Sequence, residues 1–159
     1  MLPSEILERS RSSALRIRAI DAEIRELHEK IGVQGHSYGF HGKNDIRDPM
    51  RKVDEMIDGT MDLEMERAEC QRDVMEALKV IDGMRALDAL SKGRFTTDAE
   101  YVLSEYFVYA KSIAEVAGGT GYSAYVTMKA IDASLAFCDE IGCAGLYAAR
   151  NRGIDAEYR

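Results

Sequence analysis

The stretch Ser112-Ile-Ala-Glu-Val-Ala-Gly-Gly-Thr-Gly-Tyr-Ser123 decides how this sequence is interpreted. Ser112 followed by Glu115 is a capping box, the pattern that starts a helix by pairing its free amide groups reciprocally. Gly121 can adopt the left-handed conformation of a tight turn, and Ser123 is a favoured N-cap for a second helix. A short helix, a turn containing glycine and a capped second helix, in this order, predict a helix-turn-helix.

The apolar residues of this motif predict how its two helices pack. Val116 and Ala117 are expected to face inward, and Ala114 is small enough to lie where the two helices cross. The second helix is expected to be capped by Ser123 and to run to about Cys138, with Gly142 ending it, because glycine commonly ends helices. The residues from Cys143 onward leave open one more short helix before a polar tail. Its first turns would then point away from the core, as the major-groove helix of such a motif does.

Two long amphipathic helices are predicted upstream of the motif. The first begins near Ser4 and ends at Gly32, and its apolar residues recur at alternating three- and four-residue steps, interrupted by two serines. The second opens at Asp48-Pro49, and its broad apolar band continues to about Leu90. The heptad either joins two chains or folds back on the second helix, and we expect a helical hairpin or coiled coil. The seam positions of the first helix are Ile6, Ile17, Ile20, Ile24, Leu27 and Ile31.

The chain is therefore predicted to be all-α, with a long N-terminal helical hairpin or coiled coil followed by a small helix-turn-helix domain. The glycine-rich segment 32–49 has no apolar period and is predicted to be a loop. Thr97 with Glu100 is a further capping box, which predicts the start of the first helix of the small domain. The predicted divisions are a hairpin over 1–90, a helix-turn-helix domain over 91–142 and a C-terminal tail over 143–159.

Composition and charge limit the possible functions. The chain has 159 residues, a net charge of −7 and a pI near 5.0, so any contact with nucleic acid must be local. Three cysteines without a C-x-x-C pair argue against both a disulfide framework and a structural zinc site, and they favour a cytoplasmic protein. The N-terminus resembles no signal peptide, and no apolar run approaches the ~18 residues of a membrane span, so neither export nor membrane insertion is expected.

The residues show no pattern typical of catalysis, and neither an enzyme nor a cofactor is predicted. His36 and His41 lack cysteine or carboxylate partners at ligand spacing, so no metal site is predicted. The run Gly118 to Gly121 follows a helix rather than a strand and has no Lys-Ser/Thr after it, unlike a phosphate-binding loop. A methionine stripe at helical spacing is interpreted as core rather than as an adaptable partner surface. Its members are Met50, Met56, Met61, Met65 and Met75.

The sequence also resembles a known family. Ser112-Ile-Ala-Glu-Val-Ala, Gly121-Tyr-Ser123 and Glu105-Tyr-Phe107 together resemble the promoter-reading helix-turn-helix of sigma-70-type factors, in the version carried by phage late-gene transcription regulators of the ArpU and RinA kind. The order upstream is similar too: a charged coiled-coil helix, a glycine-rich linker, and a second long helix. The resemblance covers about Ser4 to Gly142.

This resemblance implies a phage or prophage transcription regulator that binds duplex promoter DNA as an oligomer, and we expect a homodimer. The regulator would dock on promoter DNA alone or together with RNA polymerase or another host protein. The exposed start of the recognition helix carries only one lysine, where the family usually places several basic residues. Thr127 stands where the family usually has a larger aliphatic residue. Lys92, Arg94 and Lys111 flank the motif and are expected to meet backbone phosphates. The residues that the resemblance places at the DNA are Tyr122, Ser123, Ala124, Tyr125, Met128 and Lys129, with Asp132 one turn later.

Two other interpretations remain open. The acidic charge and the poorly basic recognition helix are also typical of a phage interaction protein that uses the same fold to inhibit a host machine, as anti-CRISPR proteins and DNA mimics do. A small terminase subunit also joins a helix-turn-helix to an oligomerising coil, but such proteins tend to place the DNA-binding part first.

Overall fold

The computed structural model describes the backbone of residues 1–34, 49–90 and 98–157 and the side chains of residues 1–29, 53–88 and 98–153. Within these ranges every regular element is a helix, so the all-α prediction is confirmed. A π-helical segment, Ser104–Val108, follows α3 directly. The helices are α1 (Pro3–Gln34), α2 (Pro49–Leu90), α3 (Ala99–Leu103), α4 (Ile113–Thr120) and α5 (Ala124–Glu157).

Helices α1 and α2 pack against each other in antiparallel orientation. Arg9 pairs with Glu76 at 2.7 Å, and further along α1 Arg16 pairs with Glu66 at 2.7 Å. The residue numbers on α2 fall as those on α1 rise, which only an antiparallel pair allows. The predicted fold-back of the first helix on the second is therefore confirmed.

The two serines that interrupt the seam of α1 make buried polar contacts. Ser10 and Ser13 are 0% and 8% exposed, and the Ser13 hydroxyl donates to the Asp73 carboxylate of α2 at 2.7 Å. The Ser10 hydroxyl donates to the Phe107 carbonyl at 3.4 Å, beyond α2. Because a buried polar group needs a hydrogen bond, these serines fix the position of α1 along its neighbours.

One hydrophobic cluster joins all of these helices. It fills the space between the N-terminal half of α1, the C-terminal half of α2, α3, α4 and α5, and so it includes residues from both sides of the predicted boundary at residue 90. At Gly83 the backbone of α5 approaches α2 so closely that a Cβ would lie 2.3 Å from the carbonyl oxygen of Leu146. The members that are almost fully buried include Ile6, Leu7, Val80, Ile81, Met84, Val102, Leu103, Phe107, Val116, Cys138 and Leu146.

Several predicted helix ends differ from the structure. Helix α1 continues to Gln34, two residues past Gly32, and the rest of the predicted loop lies outside the described residues. Helix α3 begins at Ala99 with Asp98 as its N-cap residue, whose side chain makes no capping hydrogen bond, and the predicted cap Thr97 lies outside the described residues. Gly142 does end the first part of α5, with a φ of 73° that breaks the helix, but the predicted tail beyond it is helical as far as Glu157.

The prediction that the methionine stripe belongs to the core is wrong for the three members that lie furthest outward. Met61, Met65 and Met75 are 56%, 66% and 57% exposed. The physical reason is that α2 buries a different face: Cys70 and Met84, two turns or more apart on that face, are 9% and 1% exposed. Met50 lies outside the described side chains, and Met56 is half-buried.

Among the residues that the structure describes, no helix combines the length and the apolar character that crossing a bilayer requires.

Candidate functional site

The segment predicted as a helix-turn-helix begins at a complete capping box. The Ser112 side chain accepts a hydrogen bond from the Glu115 amide at 3.3 Å, and the Glu115 carboxylate accepts one from the Ser112 amide at 2.7 Å. The hydrogen bonds that the Ser112 amide and hydroxyl donate to the Glu115 carboxylate hold the pKa of Glu115 below its usual value. The start of α4 is therefore confirmed as the sequence predicted it.

The turn between α4 and α5 depends on Gly121 and Thr120. Gly121 has a φ of 76°, the left-handed conformation that glycine adopts without strain, and its amide donates to the Ala117 carbonyl at 2.9 Å. The Thr120 hydroxyl oxygen accepts a hydrogen bond from the Tyr122 amide at 3.3 Å. The Ser123 hydroxyl oxygen then caps α5 by accepting from the Val126 amide at 3.2 Å. The glycine of the turn and the second cap agree with the prediction, although α4 continues through Gly118 and Gly119 to Thr120.

The first two turns of α5 divide sharply into a buried and an exposed face. Thr127 and Ile131 are 0% and 5% exposed and attach the helix to the core. The Thr127 hydroxyl donates to the Ser123 carbonyl at 3.1 Å, so the threonine that replaces an aliphatic anchor is satisfied within its own helix. Tyr125 and Met128 are 68% and 51% exposed on the opposite face. The start of α5 therefore presents large side chains to solvent from a fixed base.

Five of the predicted site residues lie together on this exposed surface, which we call the α5 face. Its polar chemistry is sparse, since the only cation among them is Lys129, whose amino group lies 5.8 Å from the centre of the Tyr125 ring. Val126, which the prediction did not include, is 45% exposed beside them. The five predicted residues of the α5 face are Ser123, Ala124, Tyr125, Met128 and Lys129, and all five are exposed.

Tyr122 and Lys111, the two other predicted site residues, are held by carboxylates. The Tyr122 hydroxyl donates to Asp98 at 2.7 Å, and this hydrogen bond raises the pKa of the phenol. Lys111 forms an ion pair with Glu105, which raises the pKa of the lysine. Lys111 precedes α4 and Tyr122 follows it, so the two lie at opposite ends of an eight-residue helix, about 12 Å long. Lys92 and Arg94 lie outside the described residues.

Ala114 is exposed, so its predicted place at the crossing of the two helices is wrong. The inward-facing residues of α4 are Val116 and Ala117, which are 0% and 7% exposed, as predicted. A position three residues before Ala117 lies about 60° away around a helix of 3.6 residues per turn, which is enough to turn Ala114 towards solvent. The contact with α5 is therefore made by the second turn of α4.

Arg11 of α1 fixes the chain that leads into α4, a role that the sequence analysis missed. Its guanidinium lies 3.9 Å from the centre of the Tyr106 ring and donates to the carbonyls of both Tyr106 and Lys111, the latter at 2.9 Å. Planar guanidinium groups suit this combination of stacking and forked donation. Arg11 therefore connects α1 to both ends of the connection 106–111.

Arg18 and an unusual backbone complete this attachment. The Arg18 guanidinium, about two turns further along α1, donates to the Tyr109 carbonyl, which lies between the two carbonyls that Arg11 contacts. The connection is not α-helical, since the Tyr109 amide donates to Ser104 at 3.0 Å and Ala110 has a φ of 48°. The seven-residue spacing of Arg11 and Arg18, which places them on one face of α1, was a signal that could have identified them.

The described residues contain no group of three or more histidine, cysteine or acidic side chains that would hold a metal ion. His36 and His41 lie outside the described residues. Comparisons with protein-family models, with curated proteins and with solved structures found no match for this chain.

Proposed function

We propose that this protein is a non-enzymatic phage or prophage transcription regulator that binds promoter DNA through α4 and α5, used as a helix-turn-helix. The observation that carries the proposal is the α5 face: the first turns of a capped helix project outward while Thr127 and Ile131 hold the same turns on the core. A recognition helix needs this arrangement, because its N-terminal residues must reach base edges in the major groove without disturbing the fold.

The side chains of the α5 face suggest how each would contact DNA. Tyr125 and Met128 offer apolar surface suited to the methyl group of thymine, which is one of the features that distinguish base pairs in the major groove. Lys129 offers a single point charge suited to a phosphate. Lys111, at the far end of α4, would contact a second phosphate if its ion pair with Glu105 were replaced by one with the DNA backbone. The expected preference is therefore for A·T-rich sites bound with modest affinity.

The test is a selection of bound duplexes from a random-sequence library, followed by fluorescence anisotropy on the enriched sequence. Tyr125→Ala and Lys129→Glu should each abolish specific binding while leaving the circular dichroism spectrum and the melting temperature unchanged. Arg152→Glu is the matched control, because it makes the same charge change on the same helix beyond the Gly142 break. Full affinity in both site variants would contradict the assignment of the α5 face to DNA.

A second candidate function is favoured by the chemistry of the same face. Tyr125, Val126 and Met128 expose apolar surface beside one cation, and the chain carries a net charge of −7, which suits a protein partner better than a polyanion. On this alternative the protein is an acidic interaction protein that inhibits a host machine, as an anti-CRISPR protein or DNA mimic does. Phosphate contacts are strongest at low salt, because binding then releases counterions into a dilute solution. Failure to enrich any duplex even at about 50 mM salt would therefore favour this alternative.

A further inference from the structure

The outward face of α2 carries an uncovered apolar stripe. Met61, Ala68 and Met75 are spaced by seven residues, and Met65 lies between the first two. All four are exposed, although the opposite face of α2, with Cys70 and its neighbours, is buried against α1. A seven-residue apolar repeat on an exposed helix is the pattern that packs against a second helix. We call these four residues the outer stripe of α2.

A shallow groove lies at the C-terminal end of this stripe. It has a volume of about 530 Å³ and runs between α2 and the part of α5 that follows Gly142. Met75 and, from α5, Tyr147 give its lining apolar surface. Arg72, Lys79 and Arg150 also line it, together with Glu76. The lining therefore combines apolar surface with three cations and one carboxylate.

The exposed charges of α2 are distributed unequally along the helix. Over the described residues from 53 to 64 the exposed charged side chains are all acidic, namely Asp54, Glu55, Asp58, Asp62 and Glu64. From 65 to 88 they are Glu69, Arg72, Lys79 and Arg85, of which three are basic. Two copies of α2 packed parallel would place like charges together, whereas antiparallel packing places the acidic half of each copy against the basic half of the other.

We infer that the outer stripe of α2 is the contact surface of a homodimer in which two α2 helices pack antiparallel about a two-fold axis at Ala68. Alanine at the axis allows the two backbones to approach closely. This register places Met61 of each subunit opposite Met75 of the other, at the groove, and Glu64 opposite Arg72. The contact from Ile57 to Lys79 is about 33 Å long and repeats each pairing twice, as a two-fold interface must. It uses the face of α2 away from α1, so the hairpin and the α5 face are unchanged.

The first experiment measures the dimer dissociation constant by sedimentation velocity for the intact chain and three variants. Glu64→Arg and Arg72→Glu each place like charges opposite one another twice, and each should raise the dissociation constant about tenfold or more. The double variant Glu64→Arg/Arg72→Glu restores opposite charges and should recover most of the affinity. Asp62→Arg is the matched control, because Asp62 lies about 120° around the helix from Ala68 and has the uncharged Val74 opposite it in this register, so the constant should change little.

The second experiment tests the axis directly by cross-linking. In a background where the buried Cys70 and Cys138 are replaced by Ala and Cys143 by Ser, Ala68→Cys should form a disulfide-linked dimer under mild oxidation, and Asp62→Cys should not. A melting temperature equal to that of its own parent chain shows that each variant folds. A chain that stays monomeric at about 100 µM overturns the proposal, because so weak a dimer would not form at ordinary protein concentrations. So does a dimer that both charge reversals leave intact and that Ala68→Cys fails to link, because such a dimer must use another surface.

Discussion

At the scale of single residues, the turn between α4 and α5 depends on one backbone conformation. Gly121 has a φ of 76°, and a Cβ there would meet nothing within 4 Å, so the cost of a side chain is conformational rather than steric. Gly121→Val should lower the free energy of unfolding by about 1 kcal/mol or more. Gly118 also has open space around it but lies within α4, so Gly118→Ala should raise stability by roughly 0.5–1 kcal/mol. Urea unfolding followed by circular dichroism measures both, and equal effects would contradict the role of Gly121.

The hydrogen bond between Tyr122 and Asp98 predicts a dependence of stability on alkaline pH. The folded-state pKa of Tyr122 is raised above its usual value of about 10, because the phenol donates a hydrogen bond to the Asp98 carboxylate and because ionisation would place a phenolate beside that charge. The stability that this bond contributes is therefore fully present below about pH 10 and is lost as the pH rises through the folded pKa. Tyr122→Phe should be less stable than the intact chain at pH 8, and the difference should shrink above pH 10. A constant difference from pH 8 to pH 11 would show that Tyr122 is not coupled to Asp98.

The residues of α4 and its turn show what local sequence can predict. Ser112 with Glu115, Gly121 and Ser123 were all identified correctly, because each acts on backbone groups within four residues of itself. The contact of Tyr122 with Asp98, 24 residues away, could not be predicted, since it depends on where α3 ends up in the packed fold. For the same reason the role of Arg11 could not be predicted, because its partners lie about 100 residues further along the chain.

At the scale of helices, α2 and α5 approach most closely at Gly83. A Cβ at this position would lie 2.3 Å from the carbonyl oxygen of Leu146, a backbone atom that cannot move without moving α5. Gly83→Ala should therefore lower stability by about 1–3 kcal/mol even though alanine is the better helix former. Gly59→Ala is the control in the same helix, where nothing lies within 4 Å, and it should raise stability by up to about 1 kcal/mol. Thermal unfolding of both variants measures the contrast, which would disappear if the two helices were not in contact.

The apolar periods of α1 and α2 predicted two long helices and their fold-back, and the structure has both. Periodicity failed at the methionine stripe, because Met61 and Met75 repeat at the same helical spacing as a buried seam. Helix α2 has two apolar faces, and α1 covers only one of them. The apolar period alone does not specify which face is covered. The buried face is the one whose neighbours Glu66 and Asp73 pair with the arginines and serine of α1, so charge complementarity decides between the two faces.

At the scale of the whole molecule, charge limits how the protein can bind DNA. The net charge of −7 opposes approach to a polyanion over most of the surface. The predicted site contains two described cations, Lys129 on the α5 face and, at the far end of α4, Lys111, which is paired with Glu105. A dimer with these two lysines per subunit reaches about four phosphates, and each phosphate contact adds about 0.9 to the slope of log K against log salt. The expected slope is therefore about −4, shallower than for a strongly basic regulator.

This limit yields a prediction about Lys129 that rests on the proposed DNA binding. If Lys129 contacts a phosphate, Lys129→Gln should weaken binding equally on all sequences and reduce the salt slope by about 1 for each bound subunit. Arg152→Gln, which removes the same charge beyond the Gly142 break, should leave the slope unchanged. Anisotropy titrations from 25 to 200 mM salt, on the selected duplex and on one altered at a single base pair, supply the data. An unchanged slope with lost discrimination between the two duplexes would instead assign Lys129 to a base edge, because base contacts carry sequence preference and phosphate contacts do not.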